Sequence, residues 1–348
     1  MIKVKVGYAR NLAIQWVMRY AIQEERFYGA YFSGSTIELS DTEDLPESSD
    51  VDIVIVIDKE ESPVKLGKFI YQGLLLEVTH LSWSHLRSFD HVLRSYHLAG
   101  SFRVNTIIAD PTGQLNKLQT YISQHFAEKF WVRQRYENAT EKINNGLNAL
   151  DSSAPLHDQV MWWLFPTGVT AHVPLVAALK NPTIRLRYLA TREVLKAYGH
   201  LDVYHDLLEL LGCAHLTPKR VEFHLSSLAP VFDKAVSVSK TPFFFSSDIT
   251  DSARPIALDG SRELIQSGNH REAIFWIIAT FARCHMILAA DASQSVQHSY
   301  IASFDKILAD IGIYSTNDLI TRSQATLQFI PKLRETAEDI LSANPQII

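Results

Sequence analysis

The sequence predicts an α+β protein, with a mixed β-sheet and flanking helices over residues 1–125 and an all-α helical-bundle domain over residues 126–348. In the first part, strand-like apolar runs alternate with helix-like patterns, as they do in mixed folds. In the second part the strand signal nearly disappears. The chain of 348 residues is also long enough for two domains, since about 150 residues per domain is usual.

Apolar periodicity predicts the elements of the first domain. Helical spacing indicates a helix over residues 8–24, and the aromatic run that follows indicates a strand over 27–32. A β-branched run at 51–58 predicts a central strand that is covered on both faces. Residues 69–81 predict a second strand or hairpin arm, with Gln72-Gly73 as a kink or bulge.

Caps and turns predict the remaining elements. They indicate a turn at residues 59–66, a helix that Ser82 caps and that continues toward residue 98, and a strand at residues 104–109. A further helix runs past Ile122, and residues 240–258 form the longest irregular stretch. The helical patterns of the second domain lie at residues 126–150, 157–165, 169–179, 183–198, 203–211, 218–236 and 270–290, and two more helices close the chain.

Composition argues against several classes of function. The net charge of −5 disfavours a large nucleic-acid interface, which needs clustered Lys and Arg. No apolar run approaches the roughly 20 residues that span a bilayer, so no membrane partner is expected. The two cysteines, Cys213 and Cys284, are far apart, so we expect no disulfide and a cytoplasmic location. The fourteen histidines lack zinc-ligand spacing.

The residues that could carry chemistry lie next to the predicted strands of the first domain. Asp50 and Asp52 stand two residues apart at the head of a strand, so their side chains project on one face. Such carboxylates repel each other unless a cation lies between them. Glycine at Gly34-Ser35 lets backbone N–H groups approach a phosphate closely, and Glu77 offers a third ligand or a base. Nucleotidyl transfer requires this set of groups.

The Gly34-Ser35 turn, the Asp50-x-Asp52 motif and the later Glu77 together resemble the polymerase-β-like nucleotidyltransferase superfamily. The arrangement is most similar to the aminoglycoside and lincosamide nucleotidyltransferases, which join such a domain to a helical one. The resemblance implies that Gly34 and Ser35 bind the nucleotide phosphates. It also implies that Asp50 and Asp52 bind Mg²⁺, with Glu77 as the general base or as a further metal ligand.

The resemblance leads us to expect a cytoplasmic, Mg²⁺-dependent enzyme that moves an NMP, AMP from ATP in the first instance, onto a hydroxyl of a small molecule. An aminoglycoside-like antibiotic is one expected acceptor, which would make the protein an antibiotic-resistance enzyme. The helical domain would bind the acceptor or form a homodimer. Residues 36–49 contain five acids and no Lys or Arg, which favours an alternative: a nucleotide-binding or regulatory protein that has lost the transfer chemistry. A protein-modifying adenylyltransferase is a third hypothesis.

Positive charge for the phosphates could come from the helical domain. Arg185 and Arg187 lie in a basic cluster at a predicted helix start, and the planar guanidinium group suits phosphate recognition. We assign both to nucleotide binding, with a solvated helix face as the alternative. Glu137 and Glu141, one helical turn apart, could supply a base or form an exposed face, and residues 243–245 could form a lid or a subunit contact.

Overall fold

The computed structural model describes residues 4–60 and 65–348, and within these residues the protein is mixed α/β, with a five-stranded mixed sheet and many helices. The chain forms two compact units. The sheet-containing unit comprises the described residues up to Arg135 together with Ser246–Asp248 and Ile348. The helical unit comprises Tyr136–Phe245 and Ile249–Ile347. The predicted α+β class is confirmed at this level, whereas the predicted domain boundary at residue 125 stays a prediction.

The sheet-containing unit begins with helix α1 and strand β1, and a polar loop then leads to the central strand β2. Two further strands form a hairpin, and short helices surround a last, short strand. The bounds are α1 (Val6–Arg19), β1 (Phe27–Ser33), β2 (Val51–Ile57), β3 (Gly67–Tyr71), β4 (Leu74–Ser82), α2 (Phe89–Arg94), α3 (Ala99–Phe102), β5 (Ile107–Ala109) and α4 (Gln114–His125).

The strands lie in the order β3-β4-β2-β1-β5. β2 and β4 are parallel, and the other neighbouring strands are antiparallel. The position of β2 at the centre of the sheet and the burial of its residues confirm the prediction of a covered central strand. One row of residues crosses the sheet in register, because Lys68 pairs with Glu77, Glu77 with Asp52, and Asp52 with Ser33.

The hydrophobic core of this unit covers one face of the sheet, and the polar residues lie on the other face. The apolar side of α1, including Leu12 and Trp16, forms one buried cluster with Ile53 and Ile55 of β2 and with Val78 of β4. Because side chains alternate along a strand, the even-numbered residues of β2 and the odd-numbered residues of β4 project from the opposite face. The polar row of residues therefore lies on the side of the sheet away from α1.

The structure corrects the prediction for residues 69–81. Gln72 and Gly73 form a two-residue turn between β3 and β4, and both have positive φ, at 50° and 81°. Positive φ at both central residues is typical of a type I′ turn, whose twist matches that of antiparallel strands. The pair is thus a hairpin turn and not a kink within one strand. The predicted turn at 59–66 falls partly on residues 61–64, which lie outside the described residues.

The predicted helix from Ser82 toward residue 98 was also wrong in extent. Ser82 caps only the 3-10 turn Trp83–His85, by accepting a hydrogen bond from the Ser84 N–H. The side chain of Ser88 then caps a separate helix, α2, by accepting from the His91 N–H at 3.2 Å. Two successive cap residues therefore divide the segment, where apolar periodicity indicated one helix.

The helical unit consists of a series of helices, with the longest link between α10 and α11, and α5 (Lys129–Asn148) contributes residues to both units. Helix α8 begins at Arg187 and not at residue 183, α11 was not predicted, and a π-helical turn, Pro255–Asp259, precedes α11. The other bounds are α6 (Leu156–Val169), α7 (His172–Ala177), α8 (Arg187–Ala197), α9 (Leu201–Leu211), α10 (Pro218–Val238), α11 (Gly260–Gln266), α12 (His270–Asp291), α13 (Gln294–Asp310) and α14 (Thr316–Ala343).

Two stretches of the helical unit, Leu156–Ala177 and His270–Asp291, are long and apolar enough to cross a membrane by length and composition alone. In each, 83% of the most apolar window is buried inside the protein. Core helices of globular proteins pass the same test, so the two stretches are weak evidence for a membrane span. The cytoplasmic location stays a prediction.

Candidate functional site

The structure brings the three predicted carboxylates together on the face of the sheet away from α1. Asp52 on β2 pairs with Glu77 on the parallel strand β4, and Asp50 precedes Asp52 by two residues. One carboxylate oxygen from each of the three residues lies within 4.8 Å of the other two. The parallel register of β2 and β4 is therefore what places Glu77 beside the Asp50-x-Asp52 pair.

Gly34 lies directly against one of these carboxylates. Ser33, the last residue of β1, pairs with Asp52, so the next residue passes over the Asp52 side chain. Gly34 has φ 71° and ψ −159°, a backbone conformation that is essentially restricted to glycine. A Cβ atom at this position would overlap the Oδ2 atom of Asp52. Ser35 follows at the start of the 3-10 turn Ser35–Glu38, and it is exposed.

Two lysines lie among the carboxylates, and neither was predicted. The Nζ of Lys68 on β3 lies 3.0 Å from Oδ2 of Asp50 and 2.5 Å from Oε2 of Glu77. The Nζ of Lys65 forms an ion pair with Oε1, the other oxygen of Glu77. Only 6% of the Lys68 side chain is exposed, so water screens its ion pairs little.

A fourth carboxylate reaches the cluster from a distant part of the chain. Ser246–Asp248 forms a short 3-10 turn that contacts β3, and Oδ1 of Asp248 lies 3.0 Å from Nζ of Lys68. The first residue of β3, Gly67, has φ 79°, and a Cβ atom there would overlap the side chain of Ser247. Glycine at this position therefore permits the approach of the 246–248 segment to β3.

The ionisation of the cluster follows from its burial and its charges. Burial raises the pKa of Asp50, although Lys68 opposes the shift. Burial, together with the charges of Asp50 and Glu77, raises the pKa of Asp52 well above its usual value. Burial alone would raise the pKa of Glu77, but Lys68 and Lys65 outweigh it and lower that pKa to about 2. Fully ionised, four carboxylates and two ammonium groups leave a formal excess of two negative charges.

The donor set fits a hard divalent cation. Mg²⁺ takes oxygen ligands and is commonly held by one or two protein carboxylates, and Asp50, Asp52 and Glu77 offer converging oxygens. A divalent cation would also match the formal excess of two negative charges in the cluster. The Lys68 ammonium already contacts two of the three candidate ligands, so a metal ion and Lys68 would share the same carboxylates.

The acidic loop at residues 36–49 is largely neutralised by basic residues of the same unit. Asp41 forms an ion pair of 2.6 Å with Nη1 of Arg10, which also donates from Nη2 to the Leu39 carbonyl at 3.0 Å. Among the residues that the structure describes, two more ion pairs join Asp44 to Lys5 and Glu38 to Arg103. The positive charges of these partners therefore offset much of the negative charge of the loop.

The other predicted site residues lie in the helical unit. Arg187 is buried, its guanidinium lies 4.0 Å from the centre of the Phe275 ring, and its Nε donates to the Ile184 carbonyl. Arg185 lies in the turn before α8, half-buried. Glu137 forms an ion pair of 2.5 Å with Arg334. Their proposed roles in phosphate binding and base catalysis stay predictions.

Comparison with protein-family models and with curated proteins found no match for the chain. The interpretation of the site therefore depends on its residues and geometry. Of the residues that sequence reasoning missed, Lys68 had a usable signal: a two-residue turn at Gln72-Gly73 would have placed it opposite Glu77. Asp248 had none, because it follows β4 by more than 160 residues and lies in an irregular stretch.

Proposed function

We propose that this protein is a divalent-metal-dependent nucleotidyltransferase that moves an NMP, AMP from ATP in the first instance, onto the hydroxyl of a small acceptor. One observation carries the proposal: the oxygens of Asp50, Asp52 and Glu77 converge within 4.8 Å on adjacent parallel strands. Gly34, in the glycine turn Gly34-Ser35, lies against one of these carboxylates, that of Asp52. A phosphate-binding turn next to a carboxylate cluster is the arrangement that phosphoryl-group chemistry requires.

Each residue has a distinct role in the proposed reaction. Asp50, Asp52 and Glu77 would hold Mg²⁺, which when bound neutralises charge on the phosphates. Gly34 and Ser35 would direct backbone N–H groups and the exposed serine hydroxyl toward the nucleotide phosphates. The low pKa of Glu77 makes it a weak proton acceptor, which favours the ligand role over the base role.

The proposed reaction is a single displacement at the α-phosphorus of the nucleotide. A bond forms between the acceptor oxygen and the α-phosphorus, the bond to the bridging oxygen of the β-phosphate breaks, and pyrophosphate leaves. The proton of the acceptor hydroxyl passes to solvent water during the same step. The sequence resemblance makes an aminoglycoside-like molecule the first acceptor to test.

The test is transfer of label from α-³²P-labelled NTPs to a panel of hydroxylated acceptors that includes aminoglycosides, in the presence of Mg²⁺. We expect a labelled acceptor and free pyrophosphate. Asp50→Asn and Asp52→Asn should each reduce transfer below detection, whereas Glu47→Gln, in the exposed part of the acidic loop, should transfer at the parent rate. Unchanged transfer in both Asn variants, or no transfer to any acceptor from ATP, GTP or CTP, would overturn the proposal.

A second candidate function is a nucleotide-binding or regulatory protein that has lost the transfer chemistry. The ion pairs of Lys68 with Asp50 and Glu77 favour it, because they occupy oxygens that a catalytic metal ion would need. Calorimetry distinguishes the two functions. Mg²⁺-dependent ATP binding without transfer to any acceptor would support the regulatory protein, and transfer that depends on Asp52 would exclude it.

A further inference from the structure

The ammonium of Lys68 lies among three carboxylates of the cluster. It contacts Asp50 and Glu77, which lie on different strands, and also Asp248, which lies in a separate segment. The Lys68 side chain is 6% exposed, and the three carboxylates are 12–16% exposed. At such positions water weakens the attraction between opposite charges much less than at an exposed surface. Lys68 is therefore the principal positive charge that holds Asp50 close to Glu77.

We propose that Lys68 is a tethered cation that occupies the carboxylate cluster in the metal-free protein and that a divalent cation must displace from Asp50 and Glu77. The inference rests on the proposed function, because it concerns the metal site of that function. An ammonium group and a divalent cation that contact the same carboxylate oxygens repel each other. The affinity of the site for a divalent ion is consequently set by Lys68 as well as by the ligands.

Asp248 determines where the displaced ammonium goes. It contacts Lys68 and is not one of the three converging candidate ligands, so it can keep the ammonium paired after Asp50 and Glu77 have turned to the metal. The close approach of Ser247 to Gly67 fixes the 246–248 segment on β3 beside Lys68. Asp248 is thus a positioning residue that favours metal binding through Lys68.

The experiment is titration of the full-length protein with Mn²⁺ alone, with free Mn²⁺ measured by electron paramagnetic resonance. We expect Lys68→Gln to bind Mn²⁺ about tenfold more tightly than the parent, equivalent to about 1.4 kcal/mol. Lys68→Arg keeps the positive charge and should show no gain. Lys5→Gln removes a lysine outside the cluster, where Nζ of Lys5 lies 2.6 Å from Oδ1 of Asp44. This variant should bind Mn²⁺ as the parent does. An unchanged or weaker affinity in Lys68→Gln, or an equal gain in Lys5→Gln, would overturn the inference.

Asp248→Asn tests the same inference without removing Lys68, and it carries the test if Lys68→Gln fails to fold. We expect Asp248→Asn to weaken Mn²⁺ binding severalfold in the parent, because the ammonium then has no acidic partner outside the metal ligands among the described residues. The same change should have no effect in the Lys68→Gln background, or in the Lys68→Met background if Lys68→Gln does not fold. Equal weakening in both backgrounds would assign Asp248 to the ligands and overturn its action through Lys68.

The outcome separates this inference from the proposed function. If Asp52→Asn abolishes Mn²⁺ binding and Lys68→Gln does not change it, the result supports the metal site and overturns only the inference about Lys68. If neither the parent nor Lys68→Gln binds Mn²⁺, the result overturns both the metal site and the inference about Lys68. Tighter binding in Lys68→Gln, without nucleotidyl transfer in any variant, supports the inference and overturns the proposed transfer reaction.

Discussion

Gly34 is the residue on which the position of the Asp52 carboxylate depends most directly. Its backbone conformation, φ 71° and ψ −159°, costs other residues of the order of 1–3 kcal/mol. Its missing side chain matters separately, because the Asp52 Oδ2 atom occupies the space that a Cβ atom would take. One glycine thus satisfies both a backbone requirement and a contact with a candidate metal ligand.

Replacing Gly34 by alanine should affect the site more than the fold. Gly34→Ala should displace the Asp52 carboxylate, weaken Mn²⁺ binding at least about tenfold, and destabilise the protein by about 1–3 kcal/mol. Manganese titration and urea denaturation measure the two effects separately.

Gly113→Ala is a matched control for this prediction. Gly113 has the same φ of 71°, but a Cβ atom there would have no atom within 4 Å. The Gly113→Ala variant should lose about 1 kcal/mol of stability and bind Mn²⁺ as the parent does. Parent-like Mn²⁺ binding by Gly34→Ala would mean that Asp52 does not need its present position to bind metal.

The hairpin formed by β3 and β4 accounts for one residue of the site that sequence reasoning missed, Lys68. The even spacing of Asp50 and Asp52 predicted their shared face from the strand period alone, and the structure brings them together with Glu77. Lys68 was missed because Gln72-Gly73 was interpreted as a kink, and register across a hairpin depends on the turn. A strand period therefore predicts neighbours on one strand, whereas neighbours across strands also require the turn type.

Helix α12 illustrates a similar limit on prediction in the helical unit. Its apolar composition predicted a central helix, and nearly every residue from Glu272 to His285 is buried. Composition did not indicate how its polar residues would be accommodated. His285 is 4% exposed and stacks on Phe304 with ring centres 4.8 Å apart. Burial, with a smaller contribution from His157, lowers its pKa to about 4.

The buried His285 should make the protein sensitive to acid. Its pKa is about 6.5 in an unfolded chain and about 4 in the fold, so the unfolded state binds the proton more readily between these values. The stability contributed by the neutral imidazole is fully present above pH 6.5 and is lost as the pH falls toward 4. Between pH 7 and pH 5 this loss amounts to about 2 kcal/mol.

Urea denaturation at pH 7 and pH 5 measures the contribution of His285. His285→Gln should lose about 2 kcal/mol less than the parent between the two values, because glutamine does not titrate. His298→Gln changes an exposed histidine of α13 and should keep the parent's pH dependence. An identical pH dependence in His285→Gln and in the parent would show that His285 does not remain neutral in the fold down to pH 5.

The candidate site as a whole is assembled from segments far apart in the chain, from Gly34 to Asp248. Local patterns predicted the class of the fold and most elements, because periodicity and caps act over a few residues. They could not predict Asp248, since only the folded chain brings the 246–248 segment to β3. The charge balance of residues 36–49 was hidden for the same reason, because the partner of Glu38 is Arg103.

A cluster assembled in this way should link divalent-cation binding to the stability of the folded chain. A ligand that binds only the native state stabilises it by about 2.7 kcal/mol at a free concentration of 100 times its Kd. If all 348 residues unfold together, this corresponds to a rise in Tm of about 4 °C, and if the sheet-containing unit unfolds separately, to about 10 °C. Thermal unfolding followed by circular dichroism, with saturating Mn²⁺ or with EDTA, measures the rise.

Two variants show whether the rise in Tm comes from the carboxylate cluster. Asp52→Asn removes one of the three converging ligands, so Mn²⁺ should no longer raise its Tm. Glu47→Gln removes a negative charge from the exposed part of the acidic loop and should keep the full rise. Since both variants replace one carboxylic acid by its amide, a difference between them comes from the position of the acid in the fold. An equal rise in Asp52→Asn and Glu47→Gln would place the stabilising Mn²⁺ elsewhere and remove the main support for a metal-dependent function.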